Sequence, residues 1–133
     1  YLIQENNPKK AIKIYNELIA KYKDSDNQLI QREVVISLKN IAFSFNETDP
    51  NHAVELYTKI IEEYKSHDDT TIQGQVAISL KSKAFLLNES DPDKALELYN
   101  ELIEKYKDVE DTIVQSQVDF AKKQLNNNWY LFI

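Results

Sequence analysis

The sequence predicts an all-α protein, a right-handed superhelix (solenoid) of about three helix-turn-helix repeats. Pro8, Pro50 and Pro92 lie at equal intervals, with 50 − 8 = 92 − 50 = 42 residues. A fixed period between about 20 and 50 residues is typical of a stack of identical supersecondary units. Within each period the apolar residues recur at intervals of three and four, which indicates helices.

Many other positions repeat at the same interval. They are alanines, tyrosines, isoleucines, glutamines, valines and lysines, each at a fixed offset from the proline: Ala11/Ala53/Ala95, Tyr15/Tyr57/Tyr99, Ile19/Ile61/Ile103, Tyr22/Tyr64/Tyr106, Gln31/Gln73/Gln115, Val34/Val76/Val118 and Lys39/Lys81/Lys123. We expect the three central tyrosines to pack between units, because they lie on the apolar face of their helices.

The first helix of each unit begins at an Asn-Pro or Asp-Pro pair. Asn7, Asp49 and Asp91 can cap the first turn, and proline is well placed at the first helical position. One apolar face then follows, as in Ala95, Leu98, Tyr99, Leu102, Ile103 and Tyr106. Each of these helices is predicted to end near Lys23, Lys65 or Lys107, since cations favour a helix C-terminus.

A second helix follows each short acidic loop. Thr70 with Gln73, and Thr112 with Gln115, have the spacing of a capping box. The core face of this helix is represented by Ile30, Val34, Leu38, Ile41, Ala42 and Phe45. Asn46-Glu47-Thr48 and Asn88-Glu89-Ser90 match glycosylation sequons, but helix termination explains them better because no secretion signal is present.

We expect a repeat domain over residues 1–126, with units at about 8–49, 50–91 and 92–126 and a partial preceding unit at 1–7. The chain starts at Tyr1, which suggests a processed chain or an excised fragment. Residues 127–133 form an apolar tail or a truncated continuation. The tail Trp129–Ile133 either packs on the last helix, since solenoid ends need capping, or docks on a neighbouring molecule.

Composition excludes several function classes. The net charge of −6 argues against a nucleic-acid backbone as the main partner. The absence of cysteine removes disulfides and thiolate nucleophiles, and it fits a reducing compartment, with the cytoplasm favoured. The single glycine, Gly74, cannot form the clustered-glycine loops that hold phosphates, and we predict no cofactor. No apolar run approaches the ~20 residues of a membrane span.

No constellation of residues predicts catalysis or metal binding. His67 lies beside Asp68 and Asp69, but a competent metal site needs three ligands at fixed geometry, and a solvated loop with a helix cap explains this sequence. Glu62 and Glu63 are adjacent and therefore diverge on a helix. We therefore predict that the chain is not an enzyme and that it has no metal site.

The segment Lys94-Ala95-Leu96-Glu97-Leu98-Tyr99 resembles the tetratricopeptide repeat, as do Val76, Leu80 and Ala84 in the preceding helix. The usual repeat is shorter, and the 42-residue spacing is similar to the extended variants with longer helices. The resemblance covers about Tyr1 to Gln124. It implies that the helices from about Gln28 and Thr70 line a concave groove and that those from Pro50 and Pro92 are the outer helices.

A second stripe runs along the inner helices, away from their core face, with residues three and four apart. An apolar surface with a few cations is typical of a peptide-binding surface. We predict that the concave groove binds its partner through Ile36, Lys39, Asn40, Phe43, Ile78, Lys81, Phe85, Phe120 and Lys123. Alternatively, the isoleucines and phenylalanines pack between neighbouring inner helices and only the lysines are exposed.

The predicted function is a non-catalytic scaffold that binds a protein or peptide partner, with acidic side chains or a C-terminal carboxylate opposite the lysines. Some tetratricopeptide proteins hold a carboxylate with Lys and Asn from successive inner helices. Lys39, Asn40 and Lys81 partly resemble that clamp, but Phe43 and Phe85 occupy the position of its second Asn. The alternative function is a self-assembly or structural segment of a larger protein, joined through Trp129–Ile133.

Overall fold

Six helices in three consecutive helix-turn-helix units make up the computed structural model, which describes residues 8–129, with side chains for residues 9–127. The helices are α1 Pro8–Tyr22, α2 Gln28–Phe43, α3 Pro50–Tyr64, α4 Thr70–Leu87, α5 Pro92–Tyr106 and α6 Thr112–Trp129. The all-α repeat architecture predicted from the 42-residue period is confirmed. α6 is as long as α4 and continues through residues 126–128.

The helix starts are fixed by side-chain caps. Asp49 and Asp91 accept from the backbone N–H three residues ahead, and Pro50 and Pro92 follow them as predicted. The capping-box prediction for the second helices is wrong. The caps are Asn27 and Asp69, one residue earlier than predicted for α4, and Thr70 is already the first helical residue. Asn7 lies outside the described residues.

The core is continuous through all three units and contains the repeated tyrosines. Tyr15, Tyr57 and Tyr99 are fully buried, which confirms that they pack between helices. The Tyr15 hydroxyl donates to the Leu56 carbonyl across one full repeat, at 2.9 Å. Burial raises the pKa of Tyr99 to about 12, so this phenol stays neutral.

The first helices of the three units, α1, α3 and α5, and the second helices, α2, α4 and α6, form two layers that pack differently. Each helix contacts the next one in sequence, and α4 also contacts both α2 and α6, whereas the described parts of α1, α3 and α5 are joined much less extensively to one another. At Gly74 an added Cβ would lie 3.7 Å from Ile113 Cγ2, so α4 and α6 approach closely. Following the order that the resemblance implies, we call α2, α4 and α6 the inner helices and α1, α3 and α5 the outer helices.

The three repeated glutamines join each outer helix to the inner helix that follows it. Gln73 Nε2 donates to the carbonyls of Tyr64, at 2.9 Å, and His67, at 2.6 Å. Gln31 and Gln115 make the equivalent bonds in the other units. The last carbonyls of a helix have no partner within it, so these amides satisfy groups that would otherwise remain unpaired. They also fix the loop between the two helices.

An ion pair joins α2 to the start of α4. Arg32 approaches Asp69 with Nη2 2.8 Å and Nε 3.0 Å from Oδ2, and the Gln28 amide also donates to this carboxylate. The Asp69 side chain is only 2% exposed. Its hydrogen bonds, first that from Arg32, hold the pKa of Asp69 at about 2. Gly74 and Ser116 replace Arg32 in the later units, so the pair occurs once.

Replacing the central glutamine tests the interhelix amide bonds. We expect Gln73→Met, which keeps the length of the side chain, to lower the free energy of unfolding by about 1–3 kcal/mol, because half-buried carbonyls lose their donor. Urea unfolding measures this. The control is Gln117→Met, because the Gln117 amide donates only to the Ile113 carbonyl of its own helix. An equal effect of both substitutions would contradict the interhelix role.

The Asp69 ion pair predicts a specific acid dependence. Because the carboxyl pKa is depressed in the folded state, its stabilising contribution is complete above the ordinary pKa of 3.8 and is lost as the pH falls toward 2. Asp69→Asn retains a capping side chain, as Asn27 shows in the first unit. We expect this variant to be less stable at neutral pH and to lose less stability between pH 4 and pH 2. Unchanged pH dependence in thermal unfolding would contradict the prediction.

Candidate functional site

The predicted stripe lies along α2, α4 and α6, and two of its three phenylalanines are exposed, while Phe120 is partly buried. Phe43 is 63% exposed and Phe85 is 55% exposed. Ile36, Ile78, Lys39 and Lys81 are half-buried. The alternative in which the phenylalanines are packed away and only the lysines are exposed is therefore wrong for Phe43 and Phe85.

Phe43 and Phe85 line one cleft between the C-terminal ends of α2 and α4. The cleft has a volume of about 730 Å³ and includes Asn40 and Leu86. The remaining lining residues come from the turn after α2: Ser44, Asn46, Glu47 and Thr48. Two exposed aromatic rings on successive inner helices, with polar groups at one edge, form a surface suited to an apolar side chain.

A second aromatic contact extends this surface to α6. The rings of Phe85 and Phe120 lie edge to face with centroids 6.0 Å apart. Lys81 Nζ lies 5.3 Å from the centroid of the Phe120 ring, within the range of a cation–π interaction. Burial lowers the pKa of Lys81, as it does that of Lys39. Lys81 is thus held against the aromatic ring.

Charge is distributed unevenly along the stripe. Lys39 and Lys81 lie one turn before Phe43 and Phe85, respectively, so they share a face with them. Beyond the phenylalanines, the cleft is lined by Glu47 and lies at the C-terminal end of α2, where the helix dipole is negative. The aromatic pair is therefore flanked by cations on one side and by negative potential on the other.

The structure brings together only part of the predicted set. Asn40, Phe43 and Phe85 share the cleft, and Lys81 and Phe120 adjoin it. Lys123 is exposed and lines a different hollow along α6, which Phe120 also lines.

Four turn residues that the sequence did not predict for the site also line the cleft: Ser44, Asn46, Glu47 and Thr48. Asn46 explains why they are ordered there, since its Oδ1 accepts from the Tyr57 hydroxyl at 3.0 Å. α2 ends at Phe43, three residues before the first sequon begins at Asn46. The position of residues 44–48 directly after Phe43 is the signal that could have identified them.

The histidines belong to helix caps. His52 Nδ1 lies 2.8 Å from Asp49 Oδ2, and His67 Nδ1 accepts from the Asp69 backbone N–H at 3.1 Å. Within residues 8–129, no group of three or more His, Asp or Glu side chains could hold a metal ion. None of the described helices combines the length and the apolar character needed to cross a bilayer.

The stacked helix pairs and the layer of inner helices define an α-helical repeat solenoid. A family model for the tetratricopeptide repeat matches residues 2–25 and 82–108. The second match spans the end of α4 and all of α5, in the order inner helix then outer helix. Over these two segments the chain has the sequence pattern of the tetratricopeptide repeat family. No curated protein and no solved structure shows significant similarity to it.

This family generally mediates protein–protein interactions through non-catalytic scaffolds. The contact predicted for the tail involves Trp129–Ile133. The structure describes the backbone of Trp129 but not its side chain, and residues 130–133 lie outside the described part of the chain.

Proposed function

We propose that this chain binds an extended or helical peptide segment of a partner protein along the inner face of α2, α4 and α6. The observation that carries the proposal is the exposure of Phe43 and Phe85 on one cleft. Exposed aromatic rings on a surface of fixed helices favour binding, because little conformational freedom remains to be lost when a partner docks.

The aromatic pair supplies the apolar contacts. Aromatic side chains dominate binding energy at many interfaces when a partner covers them and excludes water. Phe85 is also supported from behind by Phe120, so its ring is held in place before binding. We propose that an apolar side chain of the partner enters the cleft between Phe43 and Phe85.

The charges determine the direction and chemistry of the partner. An acidic side chain or a C-terminal carboxylate lies toward Lys39 and Lys81, and a hydrogen-bond donor or cation lies toward Glu47. Lys81 already contacts the Phe120 ring, and its half-buried ammonium loses less water on pairing than an exposed one. A peptide with an acidic residue near an apolar anchor fits this arrangement.

Removing both rings tests the apolar contact. Peptides selected from a random display library on the wild-type chain serve as probes, with affinity measured by fluorescence polarisation. We expect Phe43→Ala with Phe85→Ala to weaken binding by at least about tenfold. The control is Leu29→Ala, since Leu29 is equally exposed, at 66%, but is not among the residues that line the cleft. Equal loss in the control, or none in the double variant, would exclude this cleft.

Reversing the charge of two lysines tests the acidic preference. We expect the double variant Lys39→Glu with Lys81→Glu to bind the same peptides about tenfold more weakly or worse. Its helicity, measured by circular dichroism, should be unchanged. Lys39→Gln with Lys81→Gln provides a milder variant if the reversal disturbs packing. The control is Lys9→Glu with Lys13→Glu, which makes the same change in net charge at two exposed lysines of α1. Binding that survives both inner-helix variants would disprove the lysine contribution.

A further inference from the structure

The cleft between α2 and α4 combines aromatic surface with negative charge. Among the described residues that line it, Glu47 is the only charged one, and its side chain is exposed. Lys39 and Lys81 share a face with the phenylalanines but are not among the residues that line the cleft. A group that enters the cleft therefore meets two exposed aromatic rings, Phe43 and Phe85, and one carboxylate.

The ends of two helices add to this negative potential. α2 ends at Phe43 and α4 ends at Leu87, and a helix C-terminus carries a partial negative charge that basic residues in the last turn offset. The last turns of the outer helices α1 and α5 contain Lys21 and Lys105, and the Lys105 ammonium also donates to the Lys65 carbonyl at the end of α3. The last turns of α2 and α4 contain no basic residue. The helix ends at the cleft are thus not neutralised in the same way.

The two phenylalanines leave space for a group between them. The ring of Phe85 contacts that of Phe120, but the described rings of Phe43 and Phe85 do not contact each other. The cleft that they line has a volume of about 730 Å³. The face of an aromatic ring is electron-rich and attracts a cation placed over it. Both rings can therefore contact one cationic group that also has apolar surface.

From these features, we propose that the cleft binds a methylated lysine of the partner, a proposal that rests on the proposed function of the same surface. The methyl groups contact Phe43 and Phe85, and the positive charge lies near Glu47 and the helix ends. Aromatic cages recognise methylated ammonium groups by the same physical means. An unmodified ammonium fits less well, because it is strongly hydrated and its N–H groups find no strong acceptor on the rings. The acidic group of the partner then lies one helical turn away, toward Lys39 and Lys81.

Three capped amino acids test the proposal on the full chain. The first is Nα-acetyl-trimethyllysine amide. The second is its uncharged analogue, in which carbon replaces the ammonium nitrogen, and the third is Nα-acetyl-lysine amide. Binding is measured from the NMR shifts of the Phe43 and Phe85 amides. We expect trimethyllysine to bind about tenfold more tightly than either of the other two, because only it combines charge with methyl groups.

Two carboxylate variants test the source of the charge preference. Glu47→Gln keeps the size of the side chain and should weaken trimethyllysine about threefold, with no change for the uncharged analogue. Glu89→Gln is the matched control, since Glu89 is exposed and occupies the equivalent position after α4, at 89 − 47 = 42 residues. Because Glu89 is not among the residues that line the cleft, we expect this control to bind all three probes as the original chain does.

Four results would overturn the proposal. Equal affinity for trimethyllysine and its uncharged analogue would show that the cleft selects apolar bulk alone, which leaves the proposed peptide surface intact. Equal affinity for lysine would remove the role of methylation. Equal effects of Glu47→Gln and Glu89→Gln would exclude a local carboxylate contact. If none of the probes shifts the Phe43 and Phe85 amides, the cleft holds no such cation, and the display peptides then test the proposed function separately.

Discussion

The bond between a glutamine amide and the carbonyls at the end of the preceding helix fixes the geometry of every unit. Gln31, Gln73 and Gln115 each lie in the first turns of an inner helix and bond back to the loop before it. This sets where the inner helix starts relative to the outer one. Because the same bond recurs every 42 residues, the inner helices begin in register, and equivalent side chains align along the stack.

Alignment of the inner helices is what produces the candidate site. Once α2 and α4 lie side by side in register, Phe43 and Phe85 must share one surface, although they are 42 residues apart. Phe43 is 63% exposed and Phe85 is 55% exposed on that surface. The phenylalanines therefore project from the layer, and the cleft forms between them.

The period and the apolar spacing were sufficient to predict the fold, including the helix starts at Pro50 and Pro92. They also placed Phe43, Phe85 and the lysines on one face. They did not predict which of these would be exposed, because that depends on the distance between helices. The role of Gln73 was misassigned for a related reason: its spacing from Thr70 fits a local cap, while its partners Tyr64 and His67 belong to the preceding helix and loop.

The two joints between inner helices are held by different forces. A hydrogen-bonded ion pair, Arg32 with Asp69, spans the first joint, whereas at the second Gly74 faces the aliphatic side chain of Ile113. Solution conditions therefore act on them unequally, because charge pairing responds to acid and hydrocarbon contact does not. A fall in pH toward 2 therefore weakens the attachment of α4 to α2 at Asp69, whereas the apolar contact between α4 and Ile113 of α6 is unaffected by acid.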